Sequence, residues 1–101
     1  MAGGAANPNW NGTLAAATID TVTLAAGPNV YEIVNVDGTS RIDYTLDGSA
    51  PVVGGNTKSR VLPAVPFIDV VNVKSDGSTV IKLISAGTPK YAIQAQAGPE
   101  V

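Results

Sequence analysis

The stretch RIDYTLDGSAP, residues 41–51, decides how the rest of the chain is read. Ile42, Tyr44 and Leu46 alternate with Asp43 and Thr45, the period-two pattern of a strand with one buried face. Asp47-Gly48 ends that strand. The aspartate bonds its own backbone, the glycine takes a positive φ, and Pro51 blocks an immediate return to a central strand.

The same grammar extends in both directions. Upstream, residues 30–36 (VYEIVNV) form a strand that stops at Asp37-Gly38. Its two faces, Val30/Val34/Val36 and Tyr31/Ile33, are both apolar, as in a strand covered on both sides or one whose outer face meets a partner. Only residues 37–39 separate it from the organising strand, and so short a link carrying Asp-Gly predicts an antiparallel hairpin. Residues 18–25 make an earlier strand, closed by Gly27-Pro28. Downstream, residues 50–57 (APVVGGNT) are the longest break, residues 58–62 a short strand, and Pro63 and Pro66 frame a segment unfit for a regular ladder. Residues 67–73, 79–85 and 90–96 are further strands, divided by Ser75-Asp76-Gly77 and by Gly87 and Pro89. Tyr44 and Tyr91 share the faces of their apolar neighbours and belong to the core. Helical spacing nowhere persists beyond two turns. The expected fold is all-β, a small antiparallel β-sandwich or barrel of about seven strands with an extended N-terminal arm.

Composition bounds what such a domain does. The 101 residues suffice for one domain, and the 45% apolar content includes only one Trp, one Phe and three Tyr, so aliphatic side chains build the core. Charged residues are 14% of the chain, against about 25% in typical globular domains. So sparse a charge implies that part of the surface is covered by another chain. A net charge of −2 argues against a nucleic-acid partner, which selects a basic face. Without Cys there are no disulfides or thiolate metal sites, and without His the usual base near neutral pH is missing. No cofactor or metal is expected.

Residues 1–19 carry no charge. They lack the basic start and apolar run of a signal peptide, and no stretch is long enough to span a membrane, so synthesis and assembly in a cytoplasm are expected. A disordered tail is the default for such a segment; the reading preferred over it makes residues 1–17 an arm that folds against a partner, with Trp10 as apolar anchor and Pro8 and Leu14 beside it. Residues 18–101 form the β domain. Asn11-Gly12-Thr13 matches a glycosylation acceptor by chance alone.

The carboxylates do not assemble a reaction centre on paper. Asp37, Asp47 and Asp76 each precede Gly, which turn duty explains, and the turns at Asp37 and Asp47 lie at opposite ends of one strand. Asp20, Asp43 and Asp69 fall on strands as lone outward carboxylates. No Ser or Thr has a histidine to activate it. An enzyme is not expected.

Two resemblances add to this reading. Asn35-Val36-Asp37-Gly38 ends an apolar strand, and Asp47-Gly48-Ser49-Ala50-Pro51 ends the next. Val61-Leu62-Pro63-Ala64 follows, then Val80-Ile81-Lys82-Leu83-Ile84-Ser85. In that order, over residues 30–95, the motifs resemble a family of small virion proteins from tailed phages of actinobacteria. The resemblance implies a structural protein, a decoration (cement) protein on the capsid exterior. Its partner would be the major capsid protein, and it would act as a homo-oligomer, a trimer on such a shell. A tail position is the variant of the same reading. The second resemblance covers residues 42–51 only, which are similar to a strand-turn signature in the immunoglobulin-like domain of chitobiase-type glycosidases. It implies a carbohydrate-associated accessory module.

Overall fold

A computed structural model describes residues 9–95. Eight strands run through them: β1 (Asn9–Thr13), β2 (Asp20–Thr23), β3 (Val30–Asn35), β4 (Ile42–Thr45), β5 (Arg60–Leu62), β6 (Phe67–Asn72), β7 (Val80–Ile84) and β8 (Lys90–Ala95). They form two four-stranded antiparallel sheets, β1-β8-β3-β6 (sheet A) and β2-β7-β4-β5 (sheet B). The first and last strands pair, as do second and seventh, third and sixth, fourth and fifth. That order is the connectivity of a jelly roll, two Greek keys in a double sheet. The all-β expectation holds, and of its two forms the sandwich is the one found.

The inner faces follow from the alternation. Tyr31 and Ile33 of β3, Val71 of β6, and Tyr91 and Ile93 of β8 meet Val22, Ile42, Tyr44, Leu62, Ile81 and Leu83 from sheet B in one core. Aliphatic residues fill it, with three tyrosines as its largest members.

The expected hairpin between residues 30–36 and 40–46 does not form. β3 pairs with β6 and β8, whereas β4 pairs with β5 and β7, so the short Asp37–Thr39 link crosses from one sheet to the other. Asn35 fixes that crossing: its buried Nδ2 donates to Ser40 O and Pro63 O, both at 2.9 Å, and its Oδ1 accepts from Gly38 N–H. Gly38 has φ +64°, and a Cβ there would lie 2.4 Å from the backbone of Val65 and Pro66. Asp-Gly marks a tight turn, but it does not say whether the chain returns beside itself or across the core.

The organising strand β4 is buried on both faces, not one. Residues 46–59 fold back over its outer side. Thr45 Oγ1 donates to Ser49 O at 2.6 Å, Gly54 N–H donates to Asp43 Oδ2 at 3.1 Å, and Pro51 within the loop is buried. The expected arm is also altered. Asn9–Thr13 adds to this chain's own sheet beside β8, with Gly12 under the Tyr91 ring, where a Cβ would come within 2.8 Å. Leu14 is in the core and its N–H donates to Pro89 O.

Candidate interaction surface

Three turns share one local device. In Asp37-Gly38-Thr39, Asp47-Gly48-Ser49 and Asp76-Gly77-Ser78, the aspartate Oδ1 accepts from both the N–H and the hydroxyl of the residue two positions on. These bonds favour the ionised form. The Ser49 hydroxyl holds Asp47 below the usual carboxylate range, and the Ser78 hydroxyl does the same for Asp76. At Asp37 burial pushes the other way, but the N–H groups of Thr39 and Lys90 outweigh it and its pKa is lowered too. The carboxylates are occupied by their own turns.

The strand aspartates are a correction. Expected outward and solvated, all three are engaged. Asp43 is almost fully buried, receives Arg41 Nε and Nη2 at 3.1 and 2.9 Å, and holds the 46–59 loop through Gly54. Asp69 on β6 points inward and accepts from Tyr44 Oη of the opposite sheet. Asp20 on β2 does the same for Tyr91 Oη at 2.5 Å. Two edge strands, β2 and β6, thus each send a carboxylate to a tyrosine across the sandwich. Burial pushes both tyrosine pKa values up, and the neighbouring carboxylates push them further. These are sheet-to-sheet clasps. Among the described residues, no three His, Cys, Asp or Glu side chains gather as a metal site would require.

What remains uncommitted is apolar surface. On the outer face of sheet A, Ile68 of β6, Val34 of β3 and Ala92 of β8 stand in one row; Val70, Glu32 and Gln94 stand in the next. Glu32 accepts from Gln94 Nε2 at 2.7 Å, so this single carboxylate of the face already has a partner. Ile68 and Val70 are 55% and 51% exposed, and Val36, Val65 and Phe67 lie exposed nearby in the chain. An exposed apolar group of this kind is the usual mark of an interaction site.

The sequence-derived site residues are not brought together. Trp10 lies on β1 opposite Ile93 and is 41% exposed, so it remains available. Leu14 is consumed by the core and offers nothing to a partner. Pro8 lies outside the described residues. Sequence reasoning missed Ile68 and Val70, although FIDVVN is apolar at both parities, the same signal that was read in residues 30–36. No protein-family model, curated protein or solved structure matches the chain.

Proposed function

We propose that this is a structural virion protein, a decoration protein that binds the outside of a tailed-phage head and stabilises it. The observation that carries the reading is the apolar outer face of sheet A, bare among the described residues, in a chain with few charges and with every described carboxylate hydrogen-bonded. Such a face is suited to lying flat on the major capsid protein, with only Glu32 and Lys90 as ions to desolvate. Many copies on one shell turn individually modest contacts into firm attachment. The ordered motifs over residues 30–95 support the same reading. The jelly-roll order agrees by fold analogy alone, since capsid domains and lectins both use it.

The carbohydrate-associated alternative needs exposed aromatic rings to stack on sugars. Tyr31, Tyr44 and Tyr91 are all in the core, which leaves Trp10 and Phe67. They sit on β1 and β6, the two opposite edges of sheet A, and form no common platform.

The test is to mix purified protein with undecorated heads and with immobilised chitin or cell-wall glycan, then image the particles. Extra density on the head exterior, with no retention on glycan, is the expected outcome. Retention on glycan with bare heads overturns the proposal, and density on tails moves it to the tail.

A further inference from the structure

Sheet A ends at β6, and that edge is unlike the other three. β1 carries Gly12 and two asparagines, β2 has four residues with Asp20 and two threonines, and β5 has three residues with Arg60 first and Pro63 immediately after. Natural sheets guard exposed edges with short strands, charges, Pro and bulges. β6 has six residues and no Gly, Pro, Lys or Arg. Its one charged residue, Asp69, points inward to Tyr44.

The backbone of β6 can be oriented from its register. Val73 N–H donates to Asn29 O at 2.9 Å, one step beyond the Val30–Asn72 pair. In an antiparallel ladder alternate residues point their N–H and C=O at the same neighbour. Val71, Asp69 and Phe67 therefore bond to β3, and the backbone groups of Ile68, Val70 and Asn72 face the open edge. The β3 side agrees independently. Val36 N–H donates to Lys90 O, which turns the even-numbered residues of β3 to β8 and the odd-numbered ones to β6. The three residues with free backbone groups are also the ones whose side chains lie on the exposed apolar face.

We infer that two copies of this chain pair β6 against β6 across a two-fold axis, continuing sheet A from one protomer into the other. A second copy is the occupant because it necessarily brings a matching open edge. The face also carries no excess of either charge that would select an oppositely charged partner. Side chains keep to their proper faces only if residues directly opposite share parity, which leaves two central registers. With Asp69 opposite Asp69, two carboxylates meet and only Ile68 and Val70 exchange hydrogen bonds. With Val70 opposite Val70, Ile68 faces Asn72, Asp69 faces Val71, and all three outward-facing residues bond. The second register makes more bonds and opposes no like charges, so it is the one assigned.

An antiparallel edge is self-complementary only about a two-fold axis, so the building unit is a dimer rather than the trimer expected from the sequence. Six residues per side fall well short of the about 20–30 of a standard interface, so the dimer is weak and concentration-dependent in solution. The inference stands apart from any head or glycan, and binding to either can fail without touching it.

The chain has no cysteine, so Val70→Cys introduces a single thiol on the axis. Opposed residues of a hydrogen-bonded antiparallel pair have Cα atoms about 5.5 Å apart, within the roughly 4.4–6.8 Å that a disulfide spans. Under mild oxidation Val70→Cys should form covalent dimers about tenfold faster than Ile68→Cys, whose self-pairing the register forbids. The double variant Ile68→Cys/Asn72→Cys should cross-link as efficiently as Val70→Cys. Sedimentation of the wild type should show a reversible monomer–dimer equilibrium that Val70→Lys abolishes. Equal cross-linking of Val70→Cys and Ile68→Cys overturns the inference, as does a wild type that is monomeric at the highest concentration. A dimer that survives Val70→Lys overturns it as well. Should the lysine variant fail to fold, the cysteine comparison decides alone.

Discussion

The two sheets of this sandwich treat their outer faces in opposite ways. Sheet B is clothed by its own chain: residues 46–59 lie over β4, tied down by a buried carboxylate at Asp43, and Ile84 beside it is sealed from water. Among the described residues sheet A has no such cover, and Ile68 and Val70 stand exposed. Composition does not explain the contrast, since both outer faces mix the two kinds of side chain: Asp43, Thr45 and Lys82 with Val61 and Ile84 on sheet B, Glu32, Lys90 and Gln94 with Val34, Ile68 and Val70 on sheet A. Fourteen residues cover one face while Ile68 and Val70 stay open on the other, and that contrast is what the proposed docking on sheet A rests on.

The sharpest way to break this contrast is to put the same charge on both faces. Ile84→Lys forces an ammonium into a buried position opposite Asp43 and should cost about 3–5 kcal/mol in denaturant unfolding. An unfolding free energy unchanged from wild type would mean that this face of sheet B is open to water. Next in size, Asp43→Ala removes the loop's anchor, leaving Gly54 N–H without its acceptor and Arg41 to turn to water. A loss of about 2–3 kcal/mol is expected, with new protease cleavage confined to residues 52–57.

A smaller effect probes the clasp at the bare edge. Tyr44→Phe leaves Asp69 without its donor and should cost about 1–2 kcal/mol. The pH dependence has a definite sign. Burial, then the carboxylate, raises the folded pKa of Tyr44 and of Tyr91, so their contribution is complete below about pH 10, the unfolded value. Above that pH the unfolded chain sheds protons that the folded one keeps, and stability falls. Equilibrium unfolding measured from pH 8 to 11.5 should show this decline, flattened in Tyr44→Phe and further in the double variant with Tyr91→Phe. The smallest effect is the most telling. Val70→Lys should change stability by no more than about 0.5 kcal/mol, because the side chain already meets water. Set beside Ile84→Lys, it measures how far the two faces differ.

Strand positions were legible because alternation is local: residues 30–36, 67–73, 79–85 and 90–96 each contain a strand at nearly the expected bounds. Partnership was not. The Asp37–Thr39 link looks like a hairpin turn, yet its direction depends on Pro63 and Val65, more than twenty residues downstream. Asp43, Asp20 and Asp69 looked solvated because a polar residue in an alternating strand is ordinarily outward. What engages them is a loop eleven residues away, or a tyrosine on the other sheet. β1 was hidden by composition, since Asn9–Thr13 has no alternation of its own and owes its place to the Tyr91 ring above Gly12. A truncation at the expected boundary, residue 17, would therefore strip β1 and Leu14 from the domain.

The pairing of β1 with β8 sets Asn9 beside Gln94, so the two ends of the described chain leave from one corner. Sheet A therefore cannot close until the chain has been made as far as Gln94. The loop-closure entropy of that step spans residues 9–94. High contact order of this kind places folding in the millisecond-to-second range, far slower than for helical bundles of similar size. It also makes the protein a candidate for circular permutation. A short linker across the shared corner, with new ends opened in another exposed loop, would turn its most distant contact into a local one and should speed folding without altering the sandwich.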